Sequence, residues 1–534
     1  MRKSQEEKQV LYDRIKLLYS ELKSTRSVVE ALSRDGIEIS QRTVQRAVKG
    51  TTETDQLTEV QSDSLPLAGG TVLSPDKNRP WLAGKRFVFT SAQNNTYVHE
   101  GFLASLLHFC KHKDAQLVVS TFTYNKSGFQ NGTKDSDELW FDHRIKDHIV
   151  DTSVQVADDL IFCGELDILP TAADPLSGLY NYAYNNSGIV PHAKVALRSL
   201  PRIKGEDPRF LYTTGSITLR NYIQRKAGQK AEFHHVFGAL YVEINDDGEW
   251  FARQLVACSD GSFCDLDLMV TPDGVTEGHS VSGLQLGDIH IERIDQDVLL
   301  GAGDMIQSLT PDYIFVHDLT DFYTRNHHNI KDPYFLAEMM ANGNPTVEDG
   351  MQLCAEFLAQ LSTSTDTEVI VVESNHDLAF KKWLREADIK TDPVNAKLWH
   401  LYNFKIHNAI QSKDKRYSPF EDAIRAQGWW LDNVRFLRED DSFLLHDIEC
   451  GMHGHLGPNG ARGNPRNLRN IGRKVNIGHV HSAEIVDGVY AAGVTCQLDM
   501  GYNKGPSAWS HSHILTYKNG KRSIITMRGS KWKA

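Results

Sequence analysis

The sequence has no long apolar run. Although 40% of its 534 residues are hydrophobic, none of its apolar stretches approaches the roughly 18 residues that a membrane-spanning helix needs, and residues 1–30 carry charges throughout. We therefore expect neither a secretion signal nor a membrane anchor, no membrane partner, and a location in the cytoplasm.

Cysteine is sparse and unpatterned. The chain has seven cysteines and no Cys-x-x-Cys pair, which favours reduced thiols over a disulfide framework and argues against zinc held by thiolates. A net charge of -11 argues against a protein that coats nucleic acid non-specifically, although the mean conceals local basic segments. The composition is that of an ordinary soluble protein with several domains.

Residues 1–50 are predicted to form a small all-α domain of helix-turn-helix type. Leu11, Ile15, Leu18 and Leu22 recur at helical spacing. A second helix is predicted in "STRSVVEALSRDG", where Ser27 and Glu30 have capping-box spacing. The next segment, "ISQRTVQRAVKG", can bury aliphatic side chains and expose basic ones, as a DNA recognition helix does. Its predicted DNA-contacting residues are Gln41, Arg42, Gln45 and Arg46. Any small three-helix bundle with a basic face would show the same pattern.

A linker and an α/β region are predicted to follow. Residues 51–80 are rich in Thr, Ser, Asp, Gly and Pro without periodicity, which is typical of a linker. In residues 81–280, a strand at "RFVFTS", a helix at "YVHEGFLASLLHFCKH" and a strand at "AQLVVSTF" indicate a βαβ unit. Hairpins are predicted from residue 239 onward, where Asp265 and Asp267 could bind a cation but fit ordinary turn carboxylates better. No motif assigns this region a role.

Residues 281–534 contain five polar clusters, each of which follows a segment of strand character. The clusters are Asp288-x-His290, Asp318, Asn375-His376-Asp377, His453 in "GMHGH", and His479-x-His481. Taken singly, each histidine fits a core or surface residue better than a metal ligand. The order of the five is what points to a site, because loops at the carboxyl ends of strands converge on one crevice.

This region resembles the calcineurin-like metallophosphoesterase superfamily, whose motifs are Asp-x-His, Gly-Asp-x-x-Asp, Gly-Asn-His-Asp/Glu, a lone His and Gly-His-x-His. The resemblance implies an α/β fold with a β-sandwich flanked by helices. It also implies one metal held by Asp288, His290 and His481, a second held by Asn375, His453 and His479, and Asp318 as the bridging ligand. His376 and Asp318 would be catalytic. His317 and Ser374 depart from the family's glycines, and His446 is an alternative to His453.

The implied reaction is phosphodiester hydrolysis by a hydroxide activated by two divalent metals. The nitrogen and oxygen ligand set favours manganese, with iron, zinc or magnesium as alternatives. His376 would stabilise charge or protonate the leaving oxygen.

Basic segments near the last two motifs suggest DNA as the substrate. "GARGNPRNLRNIGRK" and residues 501–534 contain Lys and Arg but neither Asp nor Glu, so Arg462 and Arg466 are predicted to bind substrate phosphates. Tyr502 and Trp509 could stack on unpaired bases or be ordinary core aromatics. The whole organisation is similar to that of the pre-early nucleases with which tailed phages degrade host DNA, which would place the protein in the host cytoplasm, where a homo-oligomer is possible. The alternative is a DNA-binding regulator whose phosphoesterase domain acts on a nucleotide or phosphoprotein.

Overall fold

The computed structural model describes residues 5–22, 24–35, 37, 44, 79–124, 139–326, 329–330, 332–364 and 367–534. The chain divides into two compact units, Met1–Val72 and Leu73–Ala534. Most of the predicted linker, residues 51–78, lies outside the described residues.

The first unit contains two described helices, α1 (Gln5–Leu22) and α2 (Thr25–Arg34). Ile15, Val28, Leu32 and Val44 form its buried cluster, and Leu11 and Leu18 pack against it. The predicted apolar stripe of α1 is therefore confirmed except at Leu22, which is exposed. The predicted cap of α2 is wrong. Ser24 caps this helix by accepting a hydrogen bond from the Ser27 backbone N–H, so Ser27 already lies within the first turn. The predicted DNA contacts Gln41, Arg42, Gln45 and Arg46 lie outside the described residues.

The second unit is mixed α/β, as expected. Its helices are α3 (Glu100–Lys113), α4 (Lys226–His234), α5 (Gln296–Leu309), α6 (Pro333–Ala341), α7 (Val347–Ser364), α8 (Leu378–Glu386), α9 (Ala396–Gln411), α10 (Pro419–Arg425) and α11 (Pro465–Leu468). Its strands before residue 281 are β1 (Arg86–Gln93), β2 (Gln116–Phe122), β3 (Ser153–Ala157), β4 (Leu160–Cys163), β5 (Ser187–Val190), β6 (Leu197–Leu200), β7 (Arg209–Thr213), β8 (Gly238–Ile244), β9 (Trp250–Val256), β10 (Phe263–Asp265), β11 (Leu268–Thr271) and β12 (Gly274–Thr276). The later strands are β13 (Gly283–Gln285), β14 (Tyr313–His317), β15 (Glu368–Val372), β16 (Val434–Leu437), β17 (Leu444–Leu445), β18 (Ile448–Glu449), β19 (Lys474–Ile477), β20 (Glu484–Val486), β21 (Val489–Ala491), β22 (Ser512–Thr516) and β23 (Arg522–Thr526).

The predicted βαβ unit and hairpins are confirmed. β1 pairs in parallel with β2 across α3, and β8 and β9 form an antiparallel hairpin, in a sheet ordered β2-β1-β8-β9. β10, β11 and β12 form a small antiparallel sheet. Asp265 is buried in β10 and pairs with Arg253, so its role is structural.

A six-stranded sheet, ordered β16-β15-β14-β13-β22-β23, positions the candidate site. Its strands β13 to β16 are parallel, and alternate side chains point to opposite faces. In β14, Ile314 and Val316 belong to a core shared with helices α5 and α7. Phe315 points the other way, into a cluster that includes Leu445 and Ile448. The sheet therefore has helices against one face and strands β17 and β18 against the other.

Strands β17 and β18 belong to a ten-stranded sheet, ordered β17-β18-β19-β21-β20-β6-β7-β5-β4-β3. β20, from the predicted catalytic range 281–534, pairs with β6, from the range 81–280. Residues of both ranges thus share one sheet and one compact unit.

Among the described residues, no helix is both long and apolar enough to cross a membrane. All seven cysteines are free thiols.

Candidate metal centre

The carboxyl ends of three neighbouring parallel strands carry the first candidate ligands. Asp288 follows β13, Asp318 follows β14 directly, and His376 lies in the turn after β15. Since the three strands run in parallel, their carboxyl ends meet at one edge of the sheet, where loops converge. The fold thus brings together three motifs that are far apart in the chain.

Four buried side chains form the tightest group: Asp288, His290, Asp318 and His481. Nε2 of His481 lies 3.2 Å from Asp288 Oδ2 and 3.3 Å from His290 Nε2. Nε2 of His290 and of His481 lie 3.5 Å and 3.6 Å from Asp318 Oδ2. Neighbouring ligands of one ion, each bound at about 2.1 Å, are separated by about 3.0–3.5 Å. The spacing of this group suits a divalent metal ion.

The two oxygens of Asp318 face different histidines. Oδ2 faces His290 and His481, whereas Oδ1 lies 3.3 Å from Nε2 of His453. A carboxylate oriented in this way can give one oxygen to each of two ions. The geometry agrees with the bridging role that the resemblance implies for Asp318.

His317 is a member of the cluster that the sequence did not identify as functional. It is fully buried, and its Nδ1 lies 3.3 Å from Nδ1 of His453. Together with Asp288 and His453 it forms a second group of potential ligands. Its position directly before Asp318 indicates a place in the cluster, although the superfamily motif has glycine there and assigns the position no ligand.

The remaining predicted ligands are less closely placed. The ring of His479 lies 5.3 Å from that of His453, and its backbone N–H donates to Asp288 Oδ2 at 2.7 Å. Asn375 is exposed. His446, the alternative to His453, lies in a hydrogen bond of 2.7 Å with Ser282 Oγ, so His453 is the histidine of this pair that reaches Asp318.

Asp321 orients two histidines at the edge of the cluster. Its Oδ1 lies 3.1 Å from Nδ1 of His290 and 3.4 Å from Nδ1 of His376. A carboxylate on one ring nitrogen fixes the tautomer and leaves the other nitrogen free to bind a metal. His376 also lies 3.2 Å from the Asp321 carbonyl oxygen through Nδ1 and is partly exposed. If Nδ1 donates to this carbonyl, Nε2 of His376 is left for proton transfer.

The backbone is strained where it carries the candidate ligands. Asp318, His290, His481 and His479 have φ values of 44°, 46°, 57° and 68°, a region that residues other than glycine rarely occupy. His317 and Ser374 are not among the residues with positive φ, so the missing family glycines leave no strain there. At Gly478 a Cβ would lie 2.1 Å from Asp288 Oδ1. Glycine therefore lets the chain pass close to Asp288.

Two carboxylates to which the sequence assigned no role, partly buried Glu292 and buried Asp377, hold the ligand loops. Glu292 accepts hydrogen bonds from Thr320 Oγ1 and from the backbone N–H groups of Asp321 and Phe322. Asp377 accepts from the backbone N–H of Ser374 and, at 3.4 Å, from that of Thr320. These contacts tie the loops after β14 and β15 to each other and to the segment that follows His290.

Burial and neighbouring charges shift the pKa values of the candidate ligands. Burial by itself would raise the pKa of Asp318, but His453 and His376 hold it well below its ordinary value. Burial, with repulsion from His453, lowers the pKa of His317 to about 3 and that of His479 to about 4. Burial opposes the charged form of His481 as well, yet the nearby carboxylates of Asp288 and Asp318 raise its pKa to about 9. A bound metal ion would have to displace this proton, since metal ligands must be deprotonated.

Several buried polar atoms of the cluster lack hydrogen-bond partners, which is evidence for a metal site. Within the described part of the chain, both Asp318 oxygens, Asp288 Oδ1 and His453 Nε2 are buried and make no hydrogen bond of ordinary geometry. Leaving buried polar atoms unpaired is costly. The residues present therefore fit one or more metal ions, because coordination would satisfy these atoms together.

The predicted substrate residues are dispersed. Arg462 is exposed, and its backbone bridges to Leu456, next to the His453–His455 loop. Arg466 points elsewhere and lies 3.7 Å from Asp174. Other residues of the two basic segments are paired with acids: Arg469 with Asp487, Arg528 with Asp159 and Asp207, and Lys531 with Asp247 and Glu249. These ion pairs make the surface less basic than the sequence suggested, although Arg473 and Lys504 are exposed.

Comparison with known proteins identifies one relative. The chain is 44% identical over 488 residues to Protein A1 of Escherichia phage T5, and the alignment covers 89% of this chain and 87% of that protein. No family model matches the chain. A crystal structure of 11% identity aligns over 46% of this chain and 98% of its own, with a TM-score of 0.24, too low to support an argument about the fold.

Proposed function

The chain belongs to the family of Protein A1 of Escherichia phage T5, and we propose that it is a metal-dependent phosphodiesterase that hydrolyses DNA. The observation that carries the proposal is the orientation of buried Asp318, whose two oxygens face separate histidine groups. Such a carboxylate is suited to a pair of divalent ions. Two ions of this kind, when bound, neutralise phosphate charge and supply a nucleophile made from water.

The ligand set supports a transition metal. Asp288, His290 and His481 would hold one ion and His453 and His479 the other, with Asp318 between them. Imidazole nitrogens mixed with carboxylate oxygens suit manganese, iron or zinc better than calcium. Manganese is our first choice, and magnesium remains an alternative.

The protein's own residues orient the substrate and move the proton. Asp321 aligns the rings of His290 and His376. If Nδ1–H of His376 donates to the Asp321 carbonyl, the doubly protonated ring also carries a proton on Nε2, which it can give to the leaving oxygen. A positioned acid of this kind contributes about 10²–10⁴-fold in rate. Burial of the carboxylates excludes bulk water, which strengthens these interactions.

The finer fold assignment also belongs to this proposal. The five motifs occur in the order of the metallophosphoesterase superfamily, and the ligands lie at the ends of strands in a sheet with helices on one face and strands on the other. We therefore assign this part of the chain a metallophosphoesterase-type sandwich. The predicted helix-turn-helix of residues 1–50 would deliver DNA to it.

A metal-reconstituted panel tests the function. The purified protein, stripped of metal and reloaded with manganese, is given single- and double-stranded DNA, RNA, a cyclic nucleotide and a phosphopeptide. We expect DNA cleavage that a chelator abolishes. Asp318→Asn should lose both metal binding and cleavage, whereas His376→Gln should keep the metal and lose about 10²–10⁴-fold in rate.

Matched controls are available in the chain. Asp246 and His143 have highly exposed side chains, so Asp246→Asn and His143→Gln should cleave DNA like the wild type. DNA that is bound but left intact, together with hydrolysis of the nucleotide or phosphopeptide, would support the alternative of a regulator. If the protein hydrolysed none of these substrates, whichever metal it was loaded with, the proposed phosphoesterase activity would be refuted.

A further inference from the structure

An aromatic pair lies beside the candidate metal centre. The ring of Trp509 lies 4.2 Å from that of His481 at an interplanar angle of 89°, and the ring of Tyr502 lies 6.0 Å from that of Trp509. Trp509 is half-buried and packs on a small cluster that includes Val494 and Met500. Tyr502 is 46% exposed. The ring of Tyr502 is therefore open to solvent, whereas that of Trp509 lies between it and His481.

The surroundings of Tyr502 shift the pKa of its hydroxyl. Burial raises the pKa of its hydroxyl most, and Asp321, Cys496, Asp318 and Asp288 add to the shift in that order. Tyr502 is thus linked to the centre through Trp509, whose ring contacts that of His481. The Tyr502 side chain is also open to solvent.

The loop that carries Tyr502 is held in place. Asn503 accepts a hydrogen bond from the Met500 backbone N–H and donates one to the Leu498 carbonyl. At the far side of the loop, the backbones of Ser507 and Arg202 exchange hydrogen bonds of 2.9 Å and 3.0 Å. Lys204 adds an ion pair of 2.5 Å with Asp499. Residues 202–204, from the region without an assigned role, thus anchor the loop beside the centre.

We propose that Tyr502, supported by Trp509, forms a stacking subsite for a nucleobase next to the phosphate that enters the metal centre. The inference rests on the proposed function and deepens it by naming the substrate class, which is DNA with unpaired bases. A base can stack on an aromatic side chain only after it has left its neighbours in the duplex. Every base has a π-face, so such a subsite tolerates any sequence. A loop that is already ordered loses little conformational entropy on binding.

The test uses the full-length, manganese-loaded protein and a single-stranded oligonucleotide that contains one abasic position, with products resolved nucleotide by nucleotide. Wild-type protein should cleave poorly at one linkage beside the abasic position and should prefer single-stranded to duplex DNA. Tyr502→Ala should lose roughly 5- to 100-fold in single-strand cleavage and show no local minimum at the abasic position. Tyr502→Phe, which keeps the ring, should behave like the wild type.

Two controls make the outcomes decisive. Phe233→Ala removes a ring that is 83% exposed on α4 and should change nothing. The manganese content of Tyr502→Ala should equal that of the wild type, which excludes damage to the metal centre. Uniform cleavage around the abasic position by the wild type, or unchanged cleavage by Tyr502→Ala, would overturn this inference alone. Failure of the wild type to cleave any DNA would overturn both this inference and the proposed function.

Discussion

Replacement of His317 should weaken one metal site and spare the other. His317 is fully buried, and its one close polar contact with the candidate ligands is the 3.3 Å approach to Nδ1 of His453. The opposite nitrogen of His453 faces Asp318 Oδ1. With Nε2 of His453 as the ligand, we expect His317 to act on the metal through the opposite nitrogen of that ring, by fixing its orientation and tautomer, rather than as a ligand itself. His290 and His481, which face the other Asp318 oxygen, do not depend on this contact.

The size of the effect follows from that single contact. Removal of a partner that orients a metal-binding histidine typically costs about 10–100-fold in affinity, which is about 1.4–2.7 kcal/mol. The same range is obtained from the cost of leaving one buried nitrogen of His453 unpaired, about 1–3 kcal/mol. His317→Leu, which keeps most of the volume and removes both nitrogens, should show the full loss. His317→Asn places an amide near the position of Nδ1 and should restore part of it.

Calorimetric titration of the metal-free protein with manganese, together with elemental analysis, measures the effect without reference to activity. We expect two sites in the wild type and one tight plus one weakened site in His317→Leu. His235 provides a matched control, because it is a buried histidine bonded through Nδ1 to Tyr222 and is not a member of the cluster. His235→Leu should lower stability but leave both affinities unchanged. Two unchanged sites in His317→Leu, or equal weakening of both, would refute the argument.

Three further predictions concern stability and DNA binding. Arg253 is 1% exposed and donates hydrogen bonds to Asp265 and Glu243. Arg253→Met should therefore lower the free energy of unfolding by about 3–5 kcal/mol, because it leaves two buried carboxylates unpaired. Urea denaturation measures this loss, and a loss smaller than that of an exposed control such as Arg385→Met would contradict the prediction. Arg462→Ala and Lys504→Ala, both at exposed positions, should weaken binding to DNA of any sequence. Each should also reduce the slope of log affinity against log salt concentration by about one. Fluorescence anisotropy at several salt concentrations measures this slope, and an unchanged slope would show that these residues do not contact DNA. Burial lowers the pKa of His235 to about 3 from an ordinary 6.5, so the unfolded chain takes up a proton first as the pH falls. The stability from neutral His235 should be present above pH 6.5 and decline below it, and chelator-treated wild type should lose more unfolding free energy than His235→Leu between pH 6.5 and 4.

Local patterns in the sequence determined much of this protein. The apolar stripe of α1, the βαβ unit and the hairpin of β8 and β9 follow from periodicity and turn residues, which act over a few neighbouring positions. The order of the ligand types could also be read along the chain, because a strand followed by a polar cluster is itself a local feature. Together with the resemblance to the metallophosphoesterase superfamily, this order indicated Asp288, His290, Asp318, His453 and His481 as candidate ligands before any contact was known.

Only the tertiary structure decided how these residues meet. Packing of the ten-stranded sheet against the six-stranded sheet brings His453 to one oxygen of Asp318 and His481 to the other. The same long-range packing makes His317 a neighbour of His453, leaves Asn375 exposed, and pairs Arg528 with Asp159. No local pattern encodes such pairings, because they depend on which distant surfaces are buried together. The sequence alone therefore predicted which side chains could form a site, and packing decided which atoms face each other.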